Sequence, residues 1–208
     1  MTAICPTRNR PQWIQQAVQC FERQRYQNAE MLIVADGEDI QCRVTESLPD
    51  GAPHRHRIRY VYLGPDKFTI GTKRNLACQL ARGSVIVHFD DDDYSAPGRI
   101  QDQIMQVERI GACVVGYHRM IFRDESGARF QFDGSTWNVC GTSLAYRKSW
   151  WQAHRFPPVS LQEEVPFIQS AIAERCLHSA DAHSFMEASI HSDNTSPRNL
   201  ELEMFRRL

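Results

Sequence analysis

The sequence predicts an α/β fold in which a mostly parallel sheet is flanked by helices and carries one antiparallel hairpin. Two observations predict it. Four apolar runs alternate with segments of helical periodicity in the first part of the chain: TAIC, MLIVAD, IRYVYLG and SVIVHF. Such alternation is typical of β–α–β units, whose strands run parallel. Two later apolar runs, ACVVGYHRMIFRD and ARFQFDG, flank a turn at residues 125–127 and predict the hairpin.

Apolar side chains at three- or four-residue spacing predict the helices. The first begins at Pro11, a residue favoured at the first helical position, and runs to about Arg25. Another spans residues 71–82, with Gly83 as its C-terminal cap. Further helices are predicted at residues 40–48, 100–107, 161–176 and 197–208 and around Trp150 and Trp151, with extended segments at VCGTSLAYR and ASIHS.

Composition limits the classes of protein. A chain of 208 residues can form one sizeable core, and we predict a single domain over residues 1–208. The net charge of −1 favours neither a nucleic-acid-binding nor a membrane-surface protein. The sequence has no apolar run of about 18 residues, as a transmembrane helix requires. No signal peptide precedes the first strand, and the seven scattered cysteines form no CxxC pair. We therefore expect a cytoplasmic protein with buried, reduced thiols.

Four consecutive carboxylates, Asp90–Asp93, follow the apolar run SVIVHF. A charge run is usually a solvated loop, which is one alternative. The other is a bound cation, because carboxylates bind Mg²⁺ and Mn²⁺ together with substrate phosphates. An EF-hand calcium loop is excluded, since its sixth and twelfth positions would be Ser95 and Gln101. Ligands of open α/β sheets bind beyond the carboxyl ends of the strands, which here places PTRNR, ADGED and FDDDD on one rim.

Two cations begin the helix that precedes the acidic run. Lys73 and Arg74 lie where the helix dipole disfavours positive charge unless an anion is nearby. They are either solvated side chains or ligands of a bound phosphate. Basic side chains and a metal ion around one diphosphate would stabilise a leaving group.

A central stretch, IGTKRNLACQLARGSVIVHFDDDDYSAP, joins an Arg-Asn helix to a strand that ends in an Asp-x-Asp motif, with a further Asp and a Pro downstream. In this it resembles family 2 glycosyltransferases of the GT-A fold, in the nucleotide-diphospho-sugar transferase superfamily. ICPTRNRPQWIQQAVQCF and MLIVADGED resemble the family's opening strand–helix–strand. CGTSLAYR and LQEEVPF resemble its acceptor-side segment and the helix with the catalytic acid, and HSDNTS resembles a late His-containing segment.

The resemblance covers most of residues 2–196 and implies a nucleotide-sugar-binding half (residues 1–97) and an acceptor-side half with a C-terminal helix (residues 98–208). It implies a metal-dependent, inverting hexosyl transfer from a nucleotide-diphosphate sugar, expected to be a UDP-sugar, to an acceptor hydroxyl.

The donor-binding residues that the resemblance implies come from the rim and the Arg-Asn helix. Asp36 matches the acid that contacts the nucleotide base, and Thr7 and Arg8 line the same pocket. Arg74 matches a residue near the base and diphosphate, where Lys73 would assist it.

The acidic run supplies the remaining donor contacts and the metal site. Asp90 matches the first Asp of the motif, near the ribose, and Asp92 matches the second, which binds Mn²⁺ or Mg²⁺. Asp91 occupies the variable position, and Asp93 matches an acid near the donor sugar. His191 is expected as a further metal ligand, although a lone His is more often structural.

The catalytic base is expected in the pair Glu163-Glu164. Family members commonly have Glu-Asp here, and the Asp deprotonates the acceptor hydroxyl. Glu164 takes the Asp position, and a glutamate can do the same chemistry if its extra methylene is accommodated. Which glutamate faces the acceptor stays open, as does a purely structural acidic first turn.

Two other functions remain as alternatives. A nucleotidyltransferase would also use a metal, but PTRNR lacks the Gly-rich phosphate loop expected after the first strand. A non-catalytic nucleotide-sugar-binding module is favoured only by the altered Glu-Glu pair.

The acceptor is not defined by the sequence. A glycan or a small molecule is expected. The basic stretch HRHRIRY (54–60) raises the less favoured alternative of a nucleic acid. Trp137, Trp150 and Trp151 lie in the acceptor-side half, where they either stack on a ligand or belong to the core.

Overall fold

A computed structural model describes residues 1–41, 57–135, 137–182, 184–195 and 204–208. Within these ranges eleven strands form one sheet. The strands are β1 (Thr2–Arg8), β2 (Glu30–Asp36), β3 (Ile58–Tyr62), β4 (Val85–His88), β5 (Tyr94–Ser95), β6 (Val114–Asp124), β7 (Arg129–Asp133), β8 (Ala145–Arg147), β9 (Leu177–Asp181), β10 (Met186–Ile190) and β11 (Phe205–Arg207). The described helices are α1 (Pro11–Glu22), α2 (Ile70–Leu80), α3 (Arg99–Ile110), α4 (Lys148–Ala153) and α5 (Glu164–Ala173), and a 3-10 turn spans Gly141–Ser143.

The first half of the sheet is parallel, with the order β4-β1-β2-β3. Successive side chains of a strand point to opposite sides of the sheet, and those of β1 are buried on both sides. Ala3 and Cys5 belong to the apolar cluster that includes residues of α1 and α3, whereas Ile4 belongs to the cluster with residues of α2 and α5. The predicted parallel sheet flanked by helices is therefore confirmed.

The long strand β6 organises the second half of the sheet. β7 pairs antiparallel with it and forms the predicted hairpin, whose turn contains Gly127 in the left-handed region (φ 84°). β8 pairs antiparallel with both β6 and β4 and so joins the two halves. β9 and β10 pair parallel with β6, and β10 also pairs with β5.

Several predicted elements differ from the structure. α1 ends at Glu22 rather than Arg25, and α5 begins at Glu164 rather than at residue 161. Strand β9 was not predicted, because LHSAD has few apolar residues. Residues 205–207 form β11 antiparallel to β7, where a C-terminal helix was predicted. The rest of that helix before residue 204, and the predicted helix beyond residue 41, lie outside the described residues.

Gly83 is not the cap of α2, as the sequence predicted. The helix ends at Leu80, and the C-cap residue is Ala81 in an extended conformation (φ −58°, ψ 137°). A Cβ atom at position 83 would lie 2.5 Å from the backbone carbon of Met1. The glycine is therefore required by the close approach of the chain at the start of β1.

None of the helices in the described ranges is long and apolar enough to cross a membrane. The predicted burial of the thiols is confirmed for Cys5, Cys20, Cys78 and Cys140, whereas Cys113 and Cys176 are half-buried. Cys42 lies outside the described residues.

Candidate active site

The carboxyl ends of β1, β2 and β4 form one rim of the sheet. The parallel register of β1 and β2 places Arg8 beside Asp36. Phe89, which follows β4, donates its backbone N–H to the carbonyl of Ile4 in β1 at 3.0 Å, and the acidic run begins at the next residue. The segments PTRNR, ADGED and FDDDD are therefore neighbours, as the strand-end rule predicts.

Asp36 is a fully buried carboxylate at the end of β2. It accepts hydrogen bonds from Lys73 Nζ at 2.8 Å, from the Phe68 backbone N–H at 2.6 Å and from Arg8 Nη1 at 3.1 Å. Burial lowers the pKa of Lys73, and its hydrogen bond with Asp36 opposes this shift. Lys73 is therefore a buried counter-ion of Asp36, and the alternative of a solvated lysine is wrong.

Arg74 is buried and bridges two carboxylates. Its Nη1 donates to Glu163 Oε1 at 2.7 Å, and its Nη2 lies 3.2 Å from each oxygen of Asp90. Burial lowers the pKa of Arg74, but the charges of Asp90 and Glu163 outweigh this effect and raise it. Burial also raises the pKa of Glu163, and Arg74 limits that rise. The guanidinium thus ties the start of α2 to the acidic run and to the residue before α5.

Arg10 bridges the next two acids of the run. Its Nη1 lies 3.1 Å from Asp91 Oδ1 and 3.1 Å from Asp92 Oδ2, and its Nη2 donates to the carbonyl of Asp193. Asp91 also accepts a hydrogen bond from Thr7 Oγ1 at 2.6 Å. The end of β1 therefore supplies the hydroxyl that holds Asp91, and the loop between β1 and α1 supplies the cation.

Asp92 lies against the HSDNTS segment. Its Oδ2 is 3.0 Å from His191 Nε2 and 3.3 Å from Asn194 Nδ2. The indole of Trp13 in α1 stacks on the His191 ring, with centroids 4.7 Å apart and an interplanar angle of 19°. The structure thus brings Asp92 and His191 together.

Asp93 is buried and accepts hydrogen bonds from Thr142 Oγ1 and, at 3.0 Å, from the Ser189 backbone N–H. Each acid of the run therefore has hydrogen-bond partners, of which Asp91 and Asp92 share Arg10, and this is how four neighbouring carboxylates coexist. Burial, reinforced by the charge of Asp92, raises the pKa of Asp91 to about 7. Burial and then the charges of Asp92 and Asp90 raise the pKa of Asp93 well above its usual value.

The donor atoms at this site fit a divalent cation whose coordination a ligand completes. Among the described residues no three His, Cys, Asp or Glu side chains come together as a metal site. Asp92 and His191 nevertheless present two adjacent donor atoms, and Mg²⁺ commonly combines one or two carboxylates with substrate phosphates and water. The guanidinium of Arg10 between Asp91 and Asp92 occupies a position that favours positive charge. Burial is the main cause of the raised pKa of Asp91 and Asp93, and the charge of Asp92 adds to it at both positions.

Two adjoining cavities lie on the strand-end rim. The first, of about 390 Å³, is lined by four cations, Arg8, Arg10, Lys67 and Lys73, and we name it the basic cavity. The second, of about 130 Å³, is lined by Asp90–Asp93, and we name it the acidic cavity. The two share Pro6, Arg10, Ile70, Ser160 and Thr195 in their walls. A ligand with an anionic part and a cation-binding part would extend across both.

A third cavity, of about 410 Å³, opens on the other side of the acidic cavity. We name it the aromatic cavity, since its lining includes Phe122, Phe132, Trp137 and Phe205. It shares Phe122, Gly141 and Glu164 with the acidic cavity.

Glu164 stands in the wall between the acidic and the aromatic cavity. A Cβ atom at position 141 would lie 2.5 Å from Glu164 Cγ, so only glycine lets this side chain lie against the 3-10 turn. Glu163 lines the acidic cavity as well, but its carboxylate is buried against Arg74. The two neighbouring glutamates are therefore held in different environments.

Sequence reasoning missed four residues of this site: Arg10, Trp13, Thr142 and Asn194. All four lie in segments that carry the family resemblance (ICPTRNRPQWIQQAVQCF, CGTSLAYR and HSDNTS), but no local pattern distinguishes them from their neighbours. Trp13 lies in the first turn of α1, where an aromatic residue gives no separate signal of a site.

The structure places the three tryptophans and the basic stretch in different surroundings. Trp150 and Trp151 are buried core residues, whereas Trp137 is 59% exposed and lines the aromatic cavity. Residues 54–56 of the basic stretch lie outside the described residues. Arg57 donates to the carbonyl of Gln27, which precedes β2, and Arg59 contacts Glu30, the first residue of β2. Those two arginines thus lie at the amino end of the strands, opposite the rim.

Comparison with known families identifies the chain. The sequence profile of glycosyl transferase family 2 matches residues 2–160, which is more than half of the chain. The protein belongs to glycosyl transferase family 2. The matched region contains β1 to β8 and the complete acidic run, so the family resemblance of the central stretch is confirmed.

Solved structures support the GT-A fold for this family 2 member. S. aureus TarS 1–349 in complex with UDP-GlcNAc is 16% identical, with a TM-score of 0.74 over 93% of this chain and 59% of that one. The mannosyltransferase PcManGT from Pyrobaculum calidifontis, in complex with GDP-Man and Mn²⁺, is 13% identical. Its TM-score is 0.70, and the match covers 93% of this chain and 58% of that one. The chain thus spans about 60% of the length of these structures. No curated protein sequence matches the chain.

Proposed function

We propose that this protein transfers a sugar from a nucleotide-diphosphate donor to an acceptor hydroxyl, with inversion at the anomeric carbon. The observation that carries the proposal is the position of Glu164 in the wall between the acidic and the aromatic cavity. A carboxylate there faces a cation-binding site on one side and space for a second substrate on the other. Family membership supports the same reaction class.

The donor would lie across the basic and acidic cavities. The nucleotide base would lie at the basic cavity, where the fully buried Asp36 would act through Lys73 and Arg8, which it holds in the cavity wall. The cations of the basic cavity would attract the diphosphate. Thr7 would act through Asp91 and Arg74 through Asp90, because each holds that carboxylate in place by a hydrogen bond. A UDP-sugar is favoured as the donor, since TarS was solved with UDP-GlcNAc. PcManGT was solved with GDP-Man, so a GDP-sugar is the second donor to test.

Asp92 and His191 would hold a divalent cation, Mn²⁺ or Mg²⁺, as their adjacent donor atoms allow. Such an ion would neutralise the charge of the departing diphosphate. Asp93 is held by Thr142 and by the backbone of β10, and it keeps the turn that presents Asp92 in place.

Glu164 would act as the general base. The acceptor oxygen attacks the anomeric carbon while the bond from that carbon to the diphosphate oxygen breaks, and the acceptor proton passes to a carboxylate oxygen of Glu164. A single displacement of this kind inverts the anomeric configuration. Glu163 is not available for this role, because Arg74 holds its carboxylate.

The test compares Glu164→Gln with its neighbour Glu163→Gln in release of nucleoside diphosphate from a panel of nucleotide sugars with Mn²⁺, where water serves as the acceptor that Glu164 would deprotonate. Loss of general-base catalysis typically costs about 10²- to 10⁴-fold in rate. We expect a loss of that size in Glu164→Gln with an unchanged melting temperature. Glu163→Gln should chiefly lower the melting temperature. Full turnover in folded Glu164→Gln would refute its role as the base, and no release by the parent protein would favour a binding module.

A further inference from the structure

The aromatic cavity differs in chemistry from the donor side of the site. Glu164 is the only charged side chain among the described residues that line it. Phe122, Phe132 and Phe205 pack against one another in its wall, with ring centroids 5.3–6.1 Å apart. Val165, Ile168 and Ile172 of α5 are also among its lining residues. The cavity is therefore a preformed apolar pocket with one carboxylate at its inner end.

Trp137 adds an exposed ring to this pocket. It lies in the connection between β7 and the 3-10 turn and is 59% exposed, although an indole is among the largest apolar groups in proteins. Its exposure contrasts with the burial of Trp150 and Trp151. A large aromatic surface beside an apolar pocket is typical of a position that a ligand covers.

We propose that the aromatic cavity binds an uncharged acceptor through an aryl group and directs its hydroxyl to Glu164. The cavity volume, about 410 Å³, lies within the range of small-molecule sites, roughly 300–1,000 Å³. Rings stack on Trp137 and the phenylalanine cluster, and the carboxylate of Glu164 receives the hydroxyl hydrogen bond. This inference rests on the proposed function, because it assigns the base to Glu164.

The lining argues against an anionic acceptor. A phosphate-bearing substrate requires cations, and the lysines and arginines of the described site line the basic and acidic cavities instead. A carboxylate at the inner end of the pocket would repel such a substrate further. A free sugar is also disfavoured, since Asn138 and Gln169 are the uncharged polar side chains that the described lining offers to its hydroxyls.

The experiment uses two β-D-glucosides that differ only in the group on the anomeric oxygen, together with glucose 6-phosphate, which carries a phosphate at C6 and no group on the anomeric oxygen. Dissociation constants for phenyl β-D-glucoside, methyl β-D-glucoside and glucose 6-phosphate are measured by titration calorimetry with the full chain, in the presence of UDP and Mn²⁺. We expect the phenyl glucoside to bind at least tenfold more tightly than the methyl glucoside, and glucose 6-phosphate to bind most weakly. Trp137→Ala should remove most of the phenyl preference, whereas Ile110→Ala, which removes an exposed apolar side chain outside the three cavities, should keep it.

Equal affinity for the phenyl and methyl glucosides, a preference for glucose 6-phosphate, or a phenyl preference that survives Trp137→Ala would each overturn the inference. Titration of UDP alone separates this failure from that of the proposed function. If UDP binds and the phenyl preference is absent, only the acceptor inference fails. If UDP does not bind, the proposed donor site fails, whatever the glucosides do.

Discussion

Replacing Arg74 with methionine should destabilise the protein strongly, because it removes the cation shared by Asp90 and Glu163. The side chains of Arg74 and Glu163 are only 5% and 4% exposed, and that of Asp90 is 21% exposed. Removing one partner of a buried ion pair costs about 3–5 kcal/mol, since the other charge is left buried and uncompensated. Because Asp90 is partly hydrated, we expect the lower end of that range, about 3 kcal/mol.

Thermal and urea unfolding followed by circular dichroism measure this loss. For a chain of this length, about 3 kcal/mol corresponds to a melting temperature lower by roughly 6–12 °C. The matched control is Arg129→Met, whose ion pair with Glu187 is equally short at 2.7 Å but has a more exposed arginine, at 43%. An exposed pair contributes about 0–1 kcal/mol, so the control should melt close to the parent protein.

A double variant tests whether the charge left on Glu163 causes the loss of stability. Glu163→Gln in the Arg74→Met background removes one of the two abandoned charges and should recover part of the lost stability. If Arg74→Met costs no more than Arg129→Met, or if Glu163→Gln gives no recovery, the ion-pair account of this part of the rim is refuted.

Two further predictions concern Mn²⁺ and pH. In the absence of donor, Arg10→Ala should tighten Mn²⁺ binding by about tenfold, because the positive charge of Arg10 between Asp91 and Asp92 opposes a second cation. Electron paramagnetic resonance of free Mn²⁺ measures the affinity, and weaker binding by the variant would contradict the prediction. His88 is fully buried, and burial followed by the charge of Arg74 lowers its pKa well below the usual value. The unfolded chain therefore binds more protons below about pH 6.5, and stability falls as pH decreases, by at most about 1.4 kcal/mol per pH unit for this group. His88→Gln should flatten the pH dependence of urea unfolding between pH 7 and 5, and parallel curves would exclude His88 as a source of it.

The rim could be predicted from the sequence because it follows from strand order. Once TAIC, MLIVAD and SVIVHF are recognised as parallel strands, their carboxyl ends must lie at the same edge of the sheet. The acids that follow SVIVHF therefore lie at this edge, independently of their side-chain contacts. The segment containing His191 was found by resemblance, and its distance from Asp92 is set by β10, a strand whose neighbour β5 follows the acidic run directly.

The partners of the acids could not be predicted. Arg10 contacts Asp91 across 81 residues of sequence, and Thr142 contacts Asp93 across 49, so no local pattern records these pairs. The roles of Glu163 and Glu164 depend on which carboxylate meets Arg74, which is a matter of side-chain direction at the start of α5. Gly83 was misread for a similar reason, since its requirement comes from Met1 rather than from the helix that it follows.

Thermal shift with nucleoside diphosphates and their sugars, with and without Mn²⁺, tests the central claim most directly. A ligand that binds only the native state at about 100 times its Kd adds about 2.7 kcal/mol, or roughly 5–11 °C for a chain of this length. The account predicts a shift of that size for one nucleotide class, dependent on Mn²⁺ and lost in Asp92→Asn. A flat response across the panel, with Mn²⁺ also without effect, would contradict a metal-assisted nucleotide-sugar site.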